Sequence, residues 1–140
     1  MSDKFNNLQK LKQLGVSPWY DNIERRLINK GFLKKIFDLG VLGVTSNPTI
    51  FEKAINSSSE YDLKIKELAQ QGLGLGAIYD ELTVWDVRDA ADLLRDVYEK
   101  SNYTDGYVSI EVLPEFAHSP ADTIHYGRHI FKKVNRPNIM

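Results

Sequence analysis

Four side chains in this sequence are of the right kind, in the right setting, to move protons on a small oxygenated substrate: Asp21, Thr45, Asn47 and Glu111. Asp21 follows the aromatic run Val16-Ser-Pro-Trp-Tyr20, and Thr45 and Asn47 follow the apolar run that opens at Val41. Glu111 interrupts Tyr107-Val-Ser-Ile-Glu-Val-Leu113. A carboxylate held beside a reacting atom serves as general acid or base. A hydroxyl or an amide holds substrate hydroxyls by hydrogen bonds. Each residue also has an architectural reading. Asp21 suits the cap of a following helix, and Asn47 directly before Pro48 is a standard N-cap. Glu111 is harder to place that way, because glutamate is almost never fully buried without a partner and its strand reads as buried.

Other residues carry less. His118 falls between a strand and a helix, near a strand end. His125 and His129 stand at i, i+4, the spacing of two metal ligands on one helix, but no third ligand accompanies them. An exposed helix face is the better reading, and no metal is expected. Gly72-Leu-Gly74-Leu-Gly76 does not match a dinucleotide fingerprint, which requires G-x-G-x-x-G after a strand. It reads as a joint between helices.

The elements that must position these residues follow from periodicity. Phe5, Leu8, Leu11 and Leu14 predict an amphipathic helix over residues 3–14, ended by Gly15. Residues 16–20 predict a strand, with Pro18 at its start or edge. Asp21-Asn22 opens a helix carrying Ile23, Leu27 and Ile28, and the spacing resumes after Gly31 until Gly40. Residues 41–45 predict a buried strand, and a helix follows with Asn47 as cap and Pro48 at its first position. Serines 57–59 break the chain before another helix. Residues 77–100 form the strongest helical stretch, with Thr83 as a candidate cap and Asp86 three residues on. Residues 102–106 turn into a strand over 107–113. Ser119 and Pro120 start a last helix, with Ile124, Phe131 and Val134 on its buried face and Ile130 at the edge. Arg136-Pro-Asn-Ile-Met140 reads as the beginning of a further strand. Strands separated by helices predict an α/β fold with a parallel sheet and right-handed crossovers, in one continuous unit over 1–140. Catalytic side chains on such a scaffold gather at the C-terminal ends of the strands.

Composition narrows the function classes. Of 140 residues, 42% are hydrophobic and 26% charged, with a net charge of −1 and the two signs interspersed. Nothing suggests a nucleic-acid face or a membrane anchor. The absence of cysteine excludes disulfides and thiolate chemistry and fits a reducing cytoplasm, where the sequons at Asn56 and Asn102 carry no meaning.

Three motifs, taken together, are specific. Ser17-Pro-Trp-Tyr-Asp21-Asn22, Gly43-Val-Thr45-Ser-Asn47-Pro48-Thr49-Ile50-Phe51 and Ser109-Ile-Glu111-Val112 occur in the order and roughly the spacing of transaldolases, and the sequence resembles the longer bacterial form most. The likeness runs through Ala90-Ala-Asp-Leu-Leu94 to Met140. It implies the N-terminal part of a parallel (β/α)8 barrel, about three strands plus a stub. The implied activity is transfer of a dihydroxyacetone unit between sugar phosphates, through a lysine Schiff base and without metal or organic cofactor. The sugar phosphates are sedoheptulose 7-phosphate, fructose 6-phosphate, glyceraldehyde 3-phosphate and erythrose 4-phosphate. By the same resemblance Asp21 shuttles the proton of carbon–carbon cleavage, and Glu111 works with a water on the carbinolamine. Thr45 and Asn47 hold substrate hydroxyls.

The resemblance also places the Schiff-base lysine two residues beyond Met140, so no lysine in this sequence occupies that position. Lys132 and Lys133 precede the strand. A barrel needs about 200–250 residues or more. The expectation is therefore a chain inactive alone, associating through open sheet edges. The alternatives are a non-catalytic oligomerising or sugar-phosphate-binding remnant, or one half of a split enzyme.

Overall fold

The computed structural model describes residues 5–140. The first helix, α1 (Asn7–Gln13), is capped by Asn6 and Gln9 bonding each other's backbone N–H groups. It ends as expected at Gly15, where the N–H of Gly15 reaches Lys12 and that of Val16 reaches Leu11. Residues 3 and 4 of the expected helix lie outside the described residues.

Three short strands, β1 (Trp19–Tyr20), β2 (Gly43–Val44) and β3 (Tyr107–Val108), form a parallel sheet in the order β1-β2-β3. Ile139 bridges in parallel beside Val108, where the further strand was expected. This is a helix-rich α/β fold whose open sheet, laid down in chain order, is consistent with part of a (β/α)8 barrel. The ladders are shorter than the apolar runs predict. The residues just after each pair fall outside the named strands, and the polar residues of interest are among them.

Helices α2 (Arg25–Asn29) and α3 (Phe32–Leu39) separate β1 from β2. Helix α2 starts later than Asp21-Asn22 suggests: Glu24 stands at its N-cap, and residues 21–24 form a loop. After β2 come α4 (Pro48–Ser57), a 3₁₀ turn (Ser59–Tyr61), α5 (Asp62–Gln70), α6 (Leu75–Leu93) and α7 (Arg95–Lys100). The glycine-rich segment joins α5 to α6. Helix α8 (Pro120–Val134) is capped by Ser119, with Pro120 first, as the sequence predicts.

Helix α6 is the hub. Val84, Val87, Ala90, Ala91 and the following Leu94 are buried with Val44 and Val108 of the sheet and with Leu33, Phe37, Ile130 and Val134 of neighbouring helices. Two expectations fail here. Thr83 caps nothing. The helix already starts at Leu75, and the buried Thr83 hydroxyl donates to the Asp80 carbonyl at 3.1 Å. On α8, Ile124 and Phe131 are exposed, while Ile130 is buried. The helix is rotated so that Ile130 and Val134 meet α6, and Tyr126 donates to Asp80 at 2.6 Å.

Asp86, three residues after Thr83, belongs to a buried charge network. Arg25 Nη2 lies 2.6 Å from Asp86 Oδ1, and Arg25 Nη1 lies 2.5 Å from Asp89. The Arg25 guanidinium also stacks over Trp85 at 3.6 Å. The Tyr61 hydroxyl donates to Asp86 at 2.6 Å and accepts the Arg25 backbone N–H at 2.8 Å. Burial holds the Tyr61 phenol far above its usual range, so it stays a donor.

Candidate functional site

The register aligns the ends of the strands. Trp19 pairs with Gly43 and Gly43 with Tyr107. One step further, the Thr45 N–H bonds Tyr20 O and the Ser109 N–H bonds Val44 O. Side chains alternate along a strand, so Asp21, Thr45 and Ser109 share a row on the face away from Val44 and Val108, which pack against the helices. Glu111 lies two residues beyond Ser109, on the same side.

That face admits bulk only because Gly43 has no side chain. A Cβ there would come within 2.4 Å of the Trp19 indole. The indole lies across β2 below the row, and its N–H donates to Ser17 Oγ, which donates to Asp105.

The row is tied together by hydrogen bonds. The Thr45 hydroxyl donates to Asp21 Oδ1 at 2.5 Å, fixing one carboxylate oxygen. The buried Ser46 hydroxyl donates to the Ser109 carbonyl at 2.6 Å, clamping the end of β2 to the end of β3. An open concavity of about 680 Å³ lies above, lined by Asp21, Asn47, Pro48, Thr49, Ile50, Lys53, Glu111, Val112 and Pro114. Asp21 and Glu111 thus face one space, with their carboxylates exposed to it. Thr45 is not among the lining residues; its hydroxyl meets the lining only at Asp21.

Asn47 fills the capping role read from sequence. Its Oδ1 accepts the Ile50 N–H at 2.9 Å as the cap of α4, and the residue also lines the concavity. The amide nitrogen is the part left for a ligand. The histidines stand elsewhere. His118 is exposed on the loop before α8. His125 and His129 are exposed on α8, with His129 Nε2 3.9 Å from Asp80. Lys133 pairs with Glu81 on the outer layer, and neither Lys132 nor Lys133 lines this concavity.

Three further residues shape this space without a role read for them from sequence. Ser109 was legible as the polar residue two before Glu111 in an alternating strand. Ser46 stands between Thr45 and Asn47 among the polar residues that follow the second strand. Lys53 follows Thr49 and Ile50 at i+4 and i+3, on one helical face, but only the placement of α4 shows that this face walls the concavity.

Residues 18–140 match the family model described as Transaldolase/Fructose-6-phosphate aldolase. Over 136 residues the chain is 46% identical to Transaldolase 2 of Nostoc punctiforme, covering 96% of this chain and 36% of that protein. It is 43% identical to the transaldolase of Saccharopolyspora erythraea (96% of this chain, 37% of that protein). It is 40% identical to that of Mycobacterium ulcerans (100% and 38%). The chain therefore spans a little over a third of the length of these curated relatives. With parallel strands in barrel order, polar residues gathered at their ends and a family match over nearly the whole sequence, the chain belongs to the transaldolase/fructose-6-phosphate aldolase family.

Proposed function

We propose that this chain contributes the first three strands and the start of the fourth to a barrel enzyme that moves a dihydroxyacetone unit between sugar phosphates. Sedoheptulose 7-phosphate or fructose 6-phosphate donates the unit; glyceraldehyde 3-phosphate or erythrose 4-phosphate accepts it. The observation that carries this reading is the facing of Asp21 and Glu111 across one concavity, with Asp21 held by the Thr45 hydroxyl.

In this reading a lysine beyond residue 140 attacks the ketose carbonyl. Glu111, through a water, takes the proton that the attacking amine gives up and returns it to the carbinolamine hydroxyl, so that water leaves and an iminium forms. Asp21 then takes the proton of the C4 hydroxyl. The C3–C4 bond breaks, its electron pair passes into the iminium as an enamine, and the aldose phosphate departs. The acceptor aldehyde reverses these steps. Thr45 orients Asp21, and the Asn47 amide holds a substrate hydroxyl. The expected setting is the cytoplasm, where anionic sugar phosphates are retained by the surrounding bilayer.

The test is a coupled transfer assay on a polypeptide extended past Met140 through the fourth strand and the rest of the barrel. Turnover is expected, and Asp21→Asn or Glu111→Gln should lower it by about 10²–10⁴-fold. An extended, folded polypeptide without transfer activity would sink the reading. Borohydride trapping of the 140-residue chain with fructose 6-phosphate should give no adduct.

A second reading, association without catalysis, is favoured by one observation. An apolar concavity of about 240 Å³ beside Ile139 and Met140, at the open margin of the sheet, includes Ile110, Ile130 and the exposed Phe131.

A further inference from the structure

We infer that Asn138 is a positioning residue: its buried amide locks the register of residues 138–140 on β3, so that the position two beyond Met140, where the reading above needs its lysine, falls beside Glu111; the catalytic consequence rests on that reading. Backbone bonds lay this segment on β3. The Val108 N–H bonds Asn138 O at 3.0 Å, the Met140 N–H bonds Val108 O at 3.1 Å, and the Ile110 N–H bonds Met140 O at 2.9 Å. Ile139 stands opposite Val108. Counting along parallel strands, Met140 stands opposite Ser109, and the position two beyond it stands opposite Glu111. A slip of one residue turns that side chain to the helical face, and a slip of two moves it about 7 Å along the strand.

Burial of Ile139 opposes the first slip. Backbone bonds, alike at every step, oppose neither. Asn138 opposes both. It is fully buried, and its side-chain nitrogen donates to Ala91 O in the last turn of α6 and to Gly106 O just before β3, both at 2.8 Å. The Gly106 N–H in turn bonds Leu42 O, just before β2, at 2.7 Å. The clamp therefore refers this segment to α6 and, through Gly106, to β2. Asparagine suits the task, because its NH2 group carries two donors on a short stem. Its Oδ1 is buried without a partner among the described residues. An unmade bond of that kind opposes folding, so packing alone would favour an apolar side chain of this size.

The experiment combines hydrogen exchange by NMR in the 140-residue chain with borohydride trapping in the polypeptide extended past Met140. In the parent chain the side-chain N–H protons of Asn138 should be protected and should open together with the Val108 N–H. Asn138→Leu, close in volume, should speed Val108 exchange by about tenfold through the loss of two hydrogen bonds, while the amides of Val87 and Ala90 in α6 change little. In the extended polypeptide the same variant should slow imine trapping with fructose 6-phosphate by about 10²-fold, with the half-saturating concentration unchanged. Unchanged Val108 exchange, equal acceleration throughout α6, or trapping at the parental rate would overturn the proposal. If Asn138→Leu does not fold, the parent chain decides: side-chain protons of Asn138 that exchange while Val108 stays protected would show a ladder that holds without the clamp. An extended parent with the clamp intact and no imine would remove the enzymatic reading and leave the register assignment standing.

Discussion

Arg25 and Asp86 show what a single residue pair can impose on this fold. Burial pushes the Asp86 carboxyl up to about 6, and the Arg25 charge and the Tyr61 hydrogen bond only partly offset that. A folded-state value above the ordinary carboxylate value favours the neutral acid on folding. The stability tied to Asp86 is therefore greatest below about pH 4 and declines as pH rises through 6. Arg25→Met removes the offsetting charge and raises the value further. The variant should be about 3–5 kcal/mol less stable than the parent at pH 8, with a much smaller deficit at pH 5. Urea denaturation at the two pH values checks this; an equal deficit at both would contradict it. None of this was legible in the sequence. Arg25 looks like one of many surface charges on α2, and Asp86 looks like the third residue of a capping box. Only the packing of α2 on α6 buries them together. Glu111 stood out as an acid inside an apolar alternating run, but the expected buried strand is shorter than that run: β3 ends at Val108 and Glu111 is exposed.

Caps and joints were the most readable features at the scale of elements. Asn47-Pro48 and Ser119-Pro120 start α4 and α8 as expected, because capping depends on residues three apart in the chain. Strand lengths and helix rotation were not readable, since both depend on partners distant in sequence. The exposed Ile124 and Phe131 follow from that. Asn47 permits a separation of roles. Asn47→Ala should cost about 1 kcal/mol through loss of the cap, whereas Asn47→Asp keeps an acceptor for the Ile50 N–H and should stay within a few tenths. Both remove the amide donor that faces the concavity. If substrate hydroxyls need that donor, turnover of the extended polypeptide falls equally in the two variants while their urea midpoints differ. Gly43 sets a further limit: the 2.4 Å approach of the indole to a Cβ means that Gly43→Ala displaces Trp19 or the strand. A loss of about 1–3 kcal/mol is expected from such overpacking, read from thermal unfolding.

For the whole molecule, the sheet's margins dominate. Among the described residues β1 pairs on one side only, with β2, and Ile139 bridges at the other margin, near the exposed Phe131 and Met140. Unpaired edges next to apolar side chains are templates for further pairing. The 140-residue chain should therefore sediment as concentration-dependent oligomers, and Phe131→Glu should shift it toward the monomer. A monomer at every concentration would contradict the idea. The parallel order of strands was predictable from the alternation of helices and strands. The degree of closure is a property of the complete set of strands and cannot be read from three.

The two tryptophans divide this architecture between them. Trp19 lies across the glycine of β2, and its indole N–H donates to Ser17. Trp85 carries the Arg25 guanidinium on its face, in the outer helical layer. The only indoles in the sequence thus sit in unlike electrostatic surroundings, one on the sheet and one between helices. Each is a built-in optical reporter for its own region, the emission of Trp85 responding to the cation above it and that of Trp19 to the opening of the strands. Fluorescence alone can then distinguish a chain that melts as one body from one whose sheet loosens before its helices part.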